Sequence, residues 1–221
     1  MPELRQNFID DLTSTTESWR TLRIMAEMIE ALDSLNNLKH DCISIFGSAR
    51  LKEDSRFYQD ARKLAGLLVE EGYGIITGGG PGIMEAANRG AFEANGESIG
   101  LHIHLPHEQG CNQYVKQRCD FKYFFLRKFM FVKYSMAYIV MPGGMGTIDE
   151  LSEAFVLAQT KRIRPFPIVL YGRKFWTAFV QWMKEEMVAA GTIKEEEIDR
   201  LVSICDTPEE VVQVLRKIII V

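Results

Sequence analysis

The sequence predicts an α/β domain: a parallel sheet of about seven strands with helices on both faces, preceded by an extra N-terminal helix. Three observations lead there. Short apolar runs alternate with longer segments of helical periodicity, the pattern of βαβ units. Runs such as CISIFG (Cys42–Gly47) and AYIVM (Ala137–Met141) are nearly continuous in apolar character, as strands buried on both faces require. The 221 residues, 47% of them hydrophobic, are enough for one substantial core. Residues 1–221 are therefore expected to form a single domain, with 1–40 as a helical extension.

Each element follows from its local pattern. From about Thr16 to Leu38, Trp19, Leu22, Met25, Ala26, Ile29, Leu32 and Leu35 recur at helical spacing and predict an amphipathic helix. Strands are expected at Cys42–Gly47, Tyr73–Thr77, Ser98–Ile103, Cys119–Phe121, Ala137–Met141, Phe166–Tyr171 and Val202–Cys205. Helices are expected at Phe57–Glu71, Ile83–Asn95, Phe124–Ser135, Thr147–Thr160 and Phe175–Ala190, with a last one from Pro208. Trp176, Phe179, Trp182 and Met183 fall at helical spacing and predict core or interface, while the Glu195–Glu197 run predicts a solvated turn.

Composition excludes several classes of function. A formal net charge of −4 argues against a nucleic-acid or anionic-membrane binder. The opening MPELRQNFIDDLTS is polar and acidic, unlike a signal peptide. The apolar stretch Tyr123–Met141 is interrupted by Arg127, Lys128 and Lys133, which argues against a membrane span. Cys42, Cys111, Cys119 and Cys205 show no paired spacing, which fits a reducing cytoplasm.

Three strand exits draw attention: FGSAR (Phe46–Arg50), TGGGPGIMEAANRGA (Thr77–Ala91) and PGGMGT (Pro142–Thr147). In a parallel sheet all three leave carboxyl ends, where ligands bind. Glycines let backbone N–H groups approach a ligand, and a following helix N-terminus favours an anion. Neither G-x-G-x-x-G nor the P-loop pattern is present, so a phosphate site of another design is expected. Thr147 and Glu150 match the S/T-x-x-E capping box, which leaves a structural role open for Glu150. Arg127, a cation at a helix start, opposes the helix dipole and is better explained by an anionic partner. His102, His104, His107 and Glu108 have ligand chemistry, but ordinary strands place side chains on one face in the same way, and no metal is expected.

PGGMGTIDE (Pro142–Glu150), LRK (Leu126–Lys128) and GGGPGIMEAANRGA (Gly78–Ala91) together resemble the Lonely Guy family, over about Cys42 to Tyr171. The family is often labelled "lysine decarboxylase-like", although its studied members are phosphoribohydrolases. The resemblance implies a modified Rossmann fold and hydrolysis of the N-glycosidic bond of nucleoside 5′-monophosphates, notably AMP and cytokinin riboside monophosphates. It implies no cofactor, and a homodimer or larger assembly. Arg127 and Glu150 would be catalytic, with Arg127 holding Glu150 in place and keeping it ionised. Ser48, Gly79, Gly80, Gly143, Gly144, Gly146 and Thr147 would cradle the phosphate, with Gly82, Glu85 and Lys128 also in the nucleotide site. The chain departs from the small plant-type members in its N-terminal helix and its longer His102–Tyr114 loop. Two other functions stay open: a nucleotide- or molybdenum-cofactor-binding module without turnover, and a decarboxylase, which would need pyridoxal phosphate and a Schiff-base lysine. The segment Phe124–Tyr134 is apolar on more than one face, which independently predicts a homodimer.

Overall fold

The computed structural model describes residues 17–104, 110–160, 162 and 166–219. Thr16, the polar opening segment, His107 and Glu108 lie outside the described residues. Chain order runs α1 (Glu17–Leu35), β1 (Cys42–Phe46), α2 (Arg56–Glu70), β2 (Gly74–Thr77), α3 (Ile83–Glu93) and β3 (Ser98–Ile103). It continues through β4 (Gln117–Phe121), α4 (Phe124–Tyr134), β5 (Ser135–Val140), α5 (Met145–Gln159) and β6 (Ile168–Tyr171). Then come α6 (Arg173–Trp182) with a π-helical turn at Met183–Val188, α7 (Glu195–Leu201), β7 (Val202–Cys205) and α8 (Pro208–Ile219). No described helix is long and apolar enough to cross a membrane.

The sheet has seven strands in the order β4-β3-β2-β1-β5-β6-β7. Every pairing is parallel. The chain runs outward from β1 to β4, then returns to place β5 on the other side of β1. The direction of winding therefore reverses between β1 and β5, where the strand ends open a crevice.

Alternation along each strand divides the interior into two cores. Cys42, Phe46, Tyr138, Val140, Ile168 and Leu170 face the side covered by α1, α4, α5, α6 and α7. Ile43, Ile45, Ala137, Ile139, Val169 and Tyr171 face α2, α3 and α8. Where both faces are covered, as on β1, β2, β5 and β6, the strands carry no polar stripe and read as nearly continuous apolar runs, whereas the edge strand β4 alternates buried and exposed residues.

Two elements differ from the sequence expectation. The acidic Glu195–Glu197 run is the first turn of α7, where negative charge complements the helix dipole, and Ile198 and Leu201 behind it are buried. On α1 the inward stripe is Ile24, Met28, Ala31 and Leu35, whereas Trp19, Leu22, Met25 and Ile29 are exposed. The helix therefore carries two apolar faces rather than one.

α1 has a definite job in positioning α4. The Glu27 carboxylate accepts the backbone N–H groups of Lys122 and Tyr123, at 3.1 and 3.2 Å, just before the first turn of α4. At the other end, the Tyr134 hydroxyl donates to Asn36 Oδ1 at 2.9 Å. A carboxylate from one helix thus accepts the N-cap N–H of another, the donor that a capping-box Glu takes within a single helix. Glu27→Ala is expected to lower stability by about 0.5–2 kcal/mol through this lost cap, read as a lower Tm in thermal melting. A Tm equal to the parent's would show that α1 does not hold α4 in this way.

Candidate functional site

The reversal between β1 and β5 gathers the strand exits into one edge. Ser48 joins them: its N–H donates to Pro142 O of the β5 exit, and its carbonyl accepts from Ile83 N of the β2 exit, both at 3.0 Å. Gly82 is what lets the β2 loop come this close. Its φ of +69° lies in the left-handed region, and a Cβ there would collide with the Ser48 carbonyl. A cavity of about 800 Å³ opens over this edge. Its polar wall is formed by Ser48, Arg50, Gly80, Gly143, Gly144, Gly146 and Thr147, and its apolar wall by Phe46, Met84, Ile103, Phe124, Phe131 and Phe175. Arg127 and Glu150 also line it.

α5 begins at Met145, with Gly144 as N-cap and no side chain capping it. The Thr147 N–H donates to Gly144 O at 3.0 Å, and the N–H groups of Met145 and Gly146, which have no intrahelical acceptor, are the donors this end presents to the cavity. Gly144 has an ordinary negative φ, and a Cβ there would meet nothing within 4 Å. Neither backbone conformation nor packing within the chain requires glycine at that position. The space it leaves open belongs to the cavity.

The capping-box reading of Thr147 and Glu150 is corrected by this start. Thr147 is the third helical residue and Glu150 the sixth, so Glu150 cannot reach back to the cap. Glu150 is instead buried, at 5% exposure, with its Oε1 3.6 Å from Arg127 Nη2. The Arg127 guanidinium is flanked by the rings of Phe124 and Phe131, at 5.2 and 5.8 Å from their centroids.

Burial pushes the Glu150 carboxyl up from 4.5 to about 7; Lys128 and Arg127 pull it down but do not offset the lost hydration. Arg127 therefore does not keep Glu150 fully ionised at neutral pH, contrary to the sequence expectation. The pair leaves a carboxyl that exchanges a proton near neutrality, as a general acid or base requires.

Four residues expected around the nucleotide do not line the cavity. The Lys128 ammonium binds Asp149 and Glu153 of α5, at 2.8 and 2.9 Å. Burial works against its charge, but those carboxylates raise its pKa on balance. Glu85 accepts the Tyr58 hydroxyl at 3.0 Å on the α2 side. The Gly79 N–H donates to Thr77 Oγ1, and its carbonyl accepts from Asn112. Gly82 acts through the close approach described above. Asn112 was not foreseen: its side-chain amide donates to the carbonyls of Gly79 and Gly80 and to Asn88 Oδ1, fixing the glycine-rich loop. Phe124 was also missed, although it lies three residues before Arg127 and so shares its helix face.

A family model described as "Possible lysine decarboxylase" matches residues 84–215, more than half of the chain. The chain belongs to that family, the Lonely Guy family. An uncharacterized protein of Archaeoglobus fulgidus is 30% identical to this Lonely Guy chain over 135 residues, 60% of this chain and 85% of that protein. Two solved structures share its fold. The molybdenum cofactor binding protein of Rippkaea orientalis gives a TM-score of 0.57 at 22% identity, over 83% of this chain and 99% of that one. The molybdenum cofactor carrier protein of Chlamydomonas reinhardtii gives 0.59 at 21% identity, over 83% of this chain and 100% of that one.

The burial of Glu150 sets a pH dependence of stability. A carboxyl whose folded pKa exceeds its unfolded value binds its proton more tightly when folded. Its contribution is fully present below about 4.5 and is lost as pH rises through about 7. Across that window the shift corresponds to roughly 3 kcal/mol. Glu150→Gln removes the penalty, so its Tm relative to the parent is expected to be higher by about 5–10 °C at pH 8 than at pH 5. Parallel melting curves at both pH values would rule out a buried titrating Glu150.

Proposed function

We propose that this Lonely Guy protein is a hydrolase that cleaves the N-glycosidic bond of nucleoside 5′-monophosphates, AMP or a cytokinin riboside monophosphate, releasing free base and ribose 5-phosphate. The observation that carries the reading is the buried Glu150, paired with Arg127 at 3.6 Å beside the uncapped start of α5. In this reading the Met145 and Gly146 N–H groups at the start of α5 and the Ser48 hydroxyl take the 5′-phosphate. The wall of Phe124, Phe131 and Met84 takes the flat face of the base, and the ribose lies over Glu150. As the C1′–N bond breaks, its electron pair leaves with the base, which takes up a proton, and positive charge develops at C1′. The Glu150 carboxylate stabilises that charge and accepts a proton from the water whose oxygen bonds to C1′. Arg127 orients the carboxylate, and the reaction uses no cofactor.

Binding without turnover is the second reading. It is supported by the fold shared with the two molybdenum cofactor proteins and by the anion-receptive edge. The hydrolase is favoured because a carrier of an anion gains nothing from a buried carboxylate in its pocket. The decarboxylase suggested by the family description fits poorly. A Schiff base needs a lysine, none of the described lysines lines the cavity, and Lys128 is held by two carboxylates.

The test is adenine release on purified protein. AMP is expected to be cleaved far faster than adenosine, since remote binding energy from the phosphate is used for orientation. Glu150→Gln is expected to fold, bind AMP and lose roughly 10²–10⁴-fold in kcat. For the parent, kcat/KM is expected to rise with pH through about 7 as Glu150 ionises. Gly144→Ala is expected to melt with the parent and to weaken AMP binding, because its methyl would enter the phosphate space. Equal rates on adenosine and AMP, or near-normal turnover in Glu150→Gln, would overturn the hydrolase.

The assembly is proposed to be a homodimer or larger. Trp19, Leu22, Met25 and Ile29 of α1 and Phe125 and Phe129 of α4 are all exposed, more apolar surface than scattered residues of a monomer present. Light scattering at micromolar concentration is expected to give at least twice the chain mass, and Ile29→Glu to lower it. A parent monomer under those conditions contradicts the assembly.

A further inference from the structure

The two faces of the sheet are unequal at the β3–β4 edge. Ile99, Leu101, Ile103, Cys119 and Phe121 join the core beneath α1 and α4. The intervening residues point to the other face, and the core on that face contains no residue of β3 or β4. His102 lies there at 4% exposure, and neither of its ring nitrogens has a hydrogen-bond partner among the described residues. A buried polar group left unsatisfied destabilises the fold.

The surroundings of that imidazole are those of a ligand set. The sheet register puts Asp120 of β4 directly opposite His102. Asp120 Oδ1 lies 3.3 Å from His102 Nδ1, close enough for an ion pair but without hydrogen-bond geometry. His104 follows two residues later, so its side chain shares the face, and its N–H is tied to Phe121 O at 2.9 Å. The two imidazoles meet edge-on with centroids 5.9 Å apart. One ligand atom from each of the three residues falls within 4.8 Å of the others. Arg118 donates twice to Asp120 Oδ1, at 2.9 and 2.6 Å, while Oδ2 accepts no hydrogen bond among the described residues.

We propose that His102, His104 and Asp120 bind a divalent transition cation of the zinc, cobalt and nickel class. Two imidazoles and one carboxylate suit these metals, whereas magnesium and calcium take oxygen ligands. A bound ion gives the orphaned imidazole its partner, with modest movement of the solvent-facing His104 and Asp120. Arg118 fixes the carboxylate that faces His102, as outer residues do around such centres. None of the three ligands lines the nucleotide cavity; Ile103 between the two histidines does, from the opposite face. The ion would tie the carboxyl ends of β3 and β4 together. The site is independent of the proposed hydrolase.

The experiment titrates Co²⁺ into the full-length protein, followed by visible absorbance and by Tm. One saturable equivalent and a raised Tm are expected at pH 7.5. Both are expected to be lost at pH 5, where protons compete for the imidazoles. His104→Ala and Asp120→Asn change exposed side chains that the fold does not need, and each is expected to lower affinity at least about tenfold. Cys111→Ser, which removes the half-buried thiol nearby, is expected to leave binding unchanged. Failure to observe saturable binding, affinity that survives both ligand changes, or binding that disappears in Cys111→Ser overturns the site.

Discussion

The site depends on keeping one carboxylate away from water. Glu150 projects from the second turn of α5 into a contact with α4, and α4 brings Arg127 and Lys128 to opposite uses. Arg127 stays with Glu150 at the cavity, while Lys128 reaches back to Asp149 and Glu153 and binds α4 to α5. Three acids within five residues would repel one another if all were ionised in a low-dielectric setting. One cation goes to Asp149 and Glu153 and the other to the buried acid, and burial shifts the proton affinity of Glu150 into the neutral range.

That arrangement rests on two further constraints. The reversal of strand order between β1 and β5 brings three glycine-containing exits to one edge, and the Ser48 backbone fixes their spacing through both its N–H and its carbonyl. On the far side of the edge, Asn112 holds the carbonyls of Gly79 and Gly80. The loops that form the polar wall are therefore tied at several points by the chain itself.

Much of this was legible in the sequence, and for a physical reason. Strands covered on both faces have to be apolar throughout, so CISIF, SIGLHI and IVLY announce themselves, and the glycines that follow mark the exits. What failed were inferences from local pattern about long-range direction. The S/T-x-x-E spacing at Thr147 implied a cap, but the chain turns helical two residues earlier, at Met145. Glu85 and Lys128 sit in the right motifs, yet Tyr58 on α2 and two α5 carboxylates determine where they point. The acidic run at Glu195 concealed a helix whose two buried residues come after it. Asp120 could not be linked to His102 from spacing alone, because strand register decides which residues stand opposite.

The cap that Glu27 places on α4 crosses 95 residues of sequence. It makes α1 part of what holds the Arg127 turn in place, although none of its described residues lines the cavity. A shortened descendant that discards α1 inherits two unsatisfied N–H groups at Lys122 and Tyr123, directly upstream of the turn that carries Arg127. It has to recruit a new acceptor residue for them or accept a frayed helix. The identity of that residue should therefore covary with the presence of the N-terminal extension across the family.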